Sequence, residues 1–282
     1  MLDRSNSADT SYLPTPTEDV SDCHRKGFPS YPAWHSSHCA GCRPLPNRCS
    51  TETENHPPPL SNFLRIKLNE IIKNHKKINK FAQDREPSPV IRNIHIENKG
   101  QMGSTVLRLP KAVERSESYL KDPEYDTVFL LYGGNDCDFD WQAISEAPSD
   151  THICKTTPDQ FPHEYIYGIN KLKDCGKEIY LLSLPPIDAD KYFGFITKGR
   201  DGEAIRSWLH GDISLLMHWH EMYNLAVFQI GQTAGVPVLD ISSCFLSKPN
   251  YTRFLCDDGI HPNSEGHRLM ADAIALQFSI NV

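Results

Sequence analysis

The run Thr127-Val128-Phe129-Leu130-Leu131-Tyr132 constrains this chain more than any other stretch. It is continuously apolar, as strands buried on both faces are, and such strands belong to parallel sheets covered by helices. Segments 178–184 and 236–241 read the same way, and 90–96 reads as an earlier strand. Between them lie stretches of helical period. In 158–174, Phe161, Tyr165, Ile169 and Leu172 fall on one face, and Gly176 stops the helix. Segments 213–234 and 264–278 are predicted helices, with Gly235 as a cap between the first and its following strand. A further helix is predicted over 60–80, where Leu60, Phe63, Leu64, Leu68, Ile71 and Ile72 recur at helical spacing. One more is predicted over 105–120, awkward at Pro110. Strands alternating with helices predict an α/β fold built on a parallel sheet.

Bulk composition narrows the function. The chain has 282 residues, a net charge of -7 and no long basic block, which argues against a nucleic-acid binder. No apolar run reaches the length of a membrane span. The first residues, Met-Leu-Asp-Arg-Ser-Asn, lack an apolar signal core, so a cytoplasmic location is expected. No dinucleotide fingerprint, phosphate loop or Gly-x-Ser-x-Gly elbow is present, so neither a nicotinamide nor a nucleotide cofactor is expected.

Residues 1–46 read as a poorly ordered leader dominated by Pro, Ser, Thr, Cys and His, and 47–282 as the folded domain. Within the leader, His35, His38, Cys39 and Cys42 have metal-like spacing, with Cys23, His24 and Cys49 nearby. The second half of a regular finger is missing, so no metal is assigned. The remaining cysteines, Cys137, Cys154, Cys175, Cys244 and Cys256, are scattered as in a reduced protein. His218 and His220 stand two apart in a predicted helix and do not share a face, so both read as structural.

Three loops carry chemistry. Asp258 precedes His261 by three residues across a Gly259 turn, and Pro262 follows. A carboxylate that orients an imidazole makes a general base. Gly133-Gly134 lets the first apolar strand exit sharply and leaves Asn135 at the sheet edge, an uncharged amide donor of the kind an oxyanion needs. Asn98 to Thr105 is a glycine turn whose backbone N–H groups can face a ligand. A loop of about 20 residues, 137–157, is a candidate substrate rim. The segment 188–211 reads as an insertion rich in aromatic residues.

Together these loops resemble the SGNH hydrolases, the GDSL-type esterases and lipases. Asn98 to Gly103 is similar to their Asn-x-Gly-x-x-Gly block, Gly133 to Asp136 to Gly-x-Asn-Asp, and Asp258 to Pro262 to Asp-x-x-His-Pro. The resemblance implies a three-layer α/β/α sandwich with a flavodoxin-like parallel sheet. It implies a carboxylic-ester hydrolase with His261 as base, Asp258 as its orienter, and Gly100 N–H and the Asn135 amide as oxyanion donors. Neither metal nor cofactor is implied. The substrate expected is a small-molecule, carbohydrate or lipid ester. The family's first block is a strand ending in Gly-Asp-Ser. Here the corresponding stretch reads Arg48-Cys49-Ser50, and Ser50, 48 residues before Asn98, is the best nucleophile candidate. Three readings of that departure stand side by side: a divergent active enzyme, an inactive binding protein on the same scaffold, or a hydrolase body with a displaced N-terminus.

Overall fold

The computed structural model describes residues 96–123 and 125–281. The chain separates into two units, Met1–Cys49 and Ser50–Val282, and every described residue belongs to the second. The leader, the predicted helix over 60–80, the predicted strand up to residue 95 and Ser50 lie outside the described residues.

Three strands form the described sheet: β1 (Thr127–Leu130), β2 (Glu178–Leu182) and β3 (Val238–Leu239). All pairs are parallel, with Leu130 opposite Leu181 and Leu182 opposite Leu239. The alternating side chains of β2 go to opposite faces. Ile179 and Leu181 join a core with helices α1 (Leu109–Arg115), α4 (Gln160–Asp174) and α7 (Leu215–Ala234). Tyr180 and Leu182 join a second core with α8 (Ser242–Leu246) and α9 (Ser264–Asn281). Helices on both faces of a parallel sheet make an α/β fold, as the sequence pattern predicts. On α4, Phe161, Tyr165 and Ile169 are fully buried, and Phe161 and Ile169 are each worth about 1.5–3 kcal/mol of apolar transfer.

Three further helices gather over the segments predicted as a loop and an insertion. Short helix α3 (Trp141–Glu146) interrupts the 137–157 loop, capped by Asp140 through the N–H groups of Gln142 and Ala143. The aromatic insertion folds into α5 (Ala189–Thr197) and α6 (Gly202–Trp208), with Asp188 and Asp201 as N-caps. Trp141, Ile144, Ile187, Ile196, Ile205 and Leu209 form a third small core there.

The predicted helix over 105–120 is broken. A 3-10 turn (Val106–Arg108) leads into α1, which places Pro110 in its first turn where no N–H is needed. After Ser116, α2 (Glu117–Leu120) continues. Strand β3 is shorter than 236–241 because its last amides are diverted. Asp240 N–H donates to Gln277 Oε1 (2.8 Å) and Ile241 N–H to Ser183 Oγ (2.8 Å).

Candidate active site

The loop between the Tyr251–Phe254 turn and α9 folds back on itself. Leu255 bridges Pro262 in antiparallel fashion, and Cys256 N–H donates to the His261 carbonyl (2.7 Å). Asp258 closes the loop at three points. Its Oδ1 accepts the N–H groups of Ile260 and His261 at 3.0 Å each, and its Oδ2 lies 2.7 Å from His261 Nδ1. The Asp258 side chain is 20 % exposed and that of His261 72 %. Burial alone would raise the Asp258 carboxyl. The hydrogen bonds from the His261 ring and the two N–H groups outweigh it and hold the carboxyl down to about 2. The same contact raises His261 above its ordinary value, against partial burial. With Nδ1 bound to the carboxylate, Nε2 is the ring nitrogen left outside this contact, on a side chain that is largely exposed.

Gly259 makes this turn with φ +76, and a Cβ there would stand 2.7 Å from Asp188 O, Lys191 Cβ and Tyr192 N. The loop is therefore pressed against the start of α5, and Asp188 N–H donates to the Gly259 carbonyl (2.8 Å).

The loop after β1 is organised from inside by Asp136, which is fully buried. Its Oδ1 accepts Val106 N–H (2.8 Å) and the Thr156 hydroxyl (2.7 Å), and its Oδ2 accepts Gly133 N–H (3.0 Å). Burial pushes its carboxyl up, opposed by those three donors. Gly133 takes φ +137 with Leu184 where a side chain would sit. Asn135 stands exposed on the outside of the turn. Because Val106 is tied to Asp136, the turn containing Gly100 to Gly103 is anchored to the Asn135 loop. Gly100 N–H donates to Asn98 Oδ1 (2.9 Å), and Gly100 is exposed.

Thus Asp258 and His261 are in contact, while Asn135 and the Gly100 turn are joined through Asp136. The Asn135 loop leaves the carboxyl end of β1, and the Asp258 loop lies beyond β3 and α8, pressed against the start of α5. Ser50 lies outside the described residues. Two other serines are committed elsewhere: Ser183 is buried with its hydroxyl on Asp240 and the amides of Ile241 and Ser242, and Ser243 donates to Asp240. His220 is buried in α7 and pushed down to about 4 by burial, whereas His218 is exposed. Among the described residues no group of three His, Cys, Asp or Glu side chains is placed to hold a metal.

The supporting roles of Asp136 and Thr156 were not read from the sequence. Asp136 carried a signal, since an acid directly after a Gly-Gly-Asn turn has backbone donors close at hand. Thr156, 20 residues on, carried none.

The GDSL-like Lipase/Acylhydrolase family model matches residues 80–269, well over half of the chain. The chain belongs to the GDSL-like Lipase/Acylhydrolase family. The match includes Gly100, Asn135, Asp258 and His261 and begins after Ser50. Lipases and acylhydrolases cleave ester bonds, so ester hydrolysis is the chemistry of this GDSL-like family. Among solved structures, the chain is similar to LAE5, an α/β hydrolase enzyme from the metagenome of Lake Arreo, Spain. Identity is 19%, coverage 79% of this chain and 83% of that one, and the TM-score 0.51. That likeness agrees with the α/β fold of the GDSL-like chain. A lipase/acylhydrolase from Enterococcus faecalis shows 16% identity, coverage of 64% and 72%, and a TM-score of 0.42. A variant of Axe2, an acetyl xylan esterase from Geobacillus stearothermophilus, shows 20% identity, coverage of 62% and 68%, and a TM-score of 0.44. No curated protein sequence matches significantly. Among the described residues of this GDSL-like chain, no helix is long and apolar enough to cross a membrane.

Proposed function

We propose that residues 47–282 form a carboxylic-ester hydrolase that works through an acyl-serine. The observation that carries this reading is the 2.7 Å contact between Asp258 Oδ2 and His261 Nδ1, which leaves Nε2 outward and basic. The serine hydroxyl attacks the ester carbonyl carbon, and His261 Nε2 takes its proton. The tetrahedral oxyanion is held by the Asn135 amide and by Gly100 N–H, once the Asn98 carboxamide has turned away from it. His261 then gives its proton to the leaving alcohol. A water molecule, deprotonated by the same nitrogen, releases the acyl group. Ser50 is the nucleophile of this proposal. Substrates compatible with the site are acetylated sugars, short acyl esters, lysophospholipids and acyl thioesters.

A second reading is an inactive binding protein on the same scaffold. It is favoured by the engagement of Gly100 N–H with Asn98 and by a family match that begins after Ser50. One experiment separates the two. The full chain is assayed on a chromogenic short-chain acyl ester and treated with a fluorophosphonate probe, and the labelled peptide is mapped. Turnover with labelling at Ser50 supports the enzyme. Labelling at Ser104 or Ser243 moves the nucleophile. A folded protein with neither turnover nor labelling supports the second reading.

A further inference from the structure

Asp138, three residues after Asn135, is more heavily engaged than a rim residue requires. Its Oδ1 accepts Trp141 Nε1–H and the Tyr192 hydroxyl, both at 2.8 Å. Its Oδ2 meets Lys155 Nζ at 2.6 Å, and its carbonyl accepts Lys155 N–H at 2.9 Å. Trp141 Nε1 also lies 3.2 Å from the Tyr192 hydroxyl, and the two rings meet edge to face. The three side chains come from the loop after β1, from α3 and from α5.

Tyr192 is the informative member. Its backbone nitrogen is one of the three atoms pressed on Gly259, and its N–H donates to the Asp188 carbonyl (2.9 Å). Asp188 in turn donates its own N–H to the Gly259 carbonyl. The first turn of α5 therefore touches the Asp258–His261 loop with its backbone, and it reaches the Asn135 loop with the Tyr192 side chain. Burial and the neighbouring Asp138 charge hold the Tyr192 phenol well above its ordinary value, so it remains a donor.

We infer that Asp138 and Tyr192 are positioning residues that fix the spacing between the Asn135 amide and the His261 imidazole. Neither touches the reacting atoms in this scheme. Acyl transfer needs base and oxyanion donor in register with one carbonyl carbon, and small misplacement is costly. The inference rests on the proposed hydrolase for its kinetic consequence, but the coupling between the loops is independent of it.

The test compares Tyr192→Phe with Tyr180→Phe in the full chain. Tyr180 also donates its hydroxyl to a carboxylate, Glu178 at 2.7 Å, but on β2 away from both loops. By amide and side-chain NMR, Tyr192→Phe is expected to shift or broaden residues 133–136 and 258–261 together and to leave β2 unchanged. Tyr180→Phe is expected to leave both loops unchanged. Asp138→Asn keeps an oxygen for the Tyr192 hydroxyl and should retain the coupling that Asp138→Ala loses. With an active wild type, Tyr192→Phe should lower kcat about tenfold at unchanged KM, as misplacement without lost binding would. A response in only one loop, or the same two-loop response in Tyr180→Phe, overturns the inference. An unchanged kcat overturns its kinetic part. A wild type without esterase activity defeats the proposed function, and the NMR comparison still decides the coupling.

Discussion

Asp258 and Asp136 lie in two loops of the candidate site, and they are held in opposite ways. Asp258 is partly exposed and takes its donors from residues two and three positions on. Asp136 is fully buried and takes two of its donors from 20 and 30 residues away. One carboxyl is held down to about 2 and the other is pushed up by burial. The proposed base is a local device that a short peptide motif specifies. The proposed oxyanion side is assembled by the tertiary fold. Damage to the first should therefore stop chemistry and spare the fold, and damage to the second should cost both.

The sharpest test of that contrast is His261→Ala. In the proposed enzyme it should lower kcat/KM by about 10²- to 10⁴-fold, the usual contribution of a general base. The fold should survive with at most the loss, on the order of 2 kcal/mol, of the Asp258 contact, because the side chain is otherwise 72 % exposed. Retention of a tenth of the activity would break the triad reading. Asn135→Ala comes next. A lost oxyanion donor should cost about 10²- to 10³-fold in kcat with little change in KM, and a mutant altered only in KM would make Asn135 a substrate contact instead.

Asp136→Ala measures the other half of the comparison. It strands the N–H groups of Val106 and Gly133 and the Thr156 hydroxyl. With about 1–3 kcal/mol for each unsatisfied buried group, the loss in urea unfolding should be on the order of 3 kcal/mol. A loss below about 1 kcal/mol would mean that water or a rearranged loop satisfies those donors.

The smallest effect is in the pH dependence. The folded Asp258 carboxyl lies below its unfolded value, so its stabilising contribution is complete above about pH 4 and is lost as pH falls toward 2, on the order of 2 kcal/mol. Asp258→Asn should lack that acid step. His261 is shifted the other way. Its protonated form is favoured, so kcat/KM should fall on acidification at a pH above the ordinary histidine value. Removing the Asp258 charge should move that limb to lower pH, and a limb that does not move would assign it to another group.

The same contrast explains what could be read in advance. The parallel α/β order was legible because the runs at Thr127 and Glu178 are apolar without interruption. The inward face of α4 was legible because Phe161, Tyr165, Ile169 and Leu172 repeat at helical spacing. Asp258 and His261 were legible because their contact spans three residues. The break in the 105–120 helix was half visible at Pro110, but the capture of Val106 N–H by Asp136 at its start was not. The end of β3 was hidden for the same reason: Gln277 and Ser183 take its amides from 37 and 58 residues away. Side chains that bond to backbone over long separations leave no period or spacing behind.

The threefold grip of Asp136 also has a consequence for how the molecule opens. The amides of Val106 and Gly133 share one buried acceptor, so neither can reach solvent while that carboxylate stays in place. In native-state hydrogen exchange they are expected to open as one cooperative unit with the segment around Thr156. The amides of Ile260 and His261 answer to a different carboxylate, near the surface. The two loops are therefore expected to open as separate units, with deuterium entering the Asp258 loop long before it enters the turn behind Asn135.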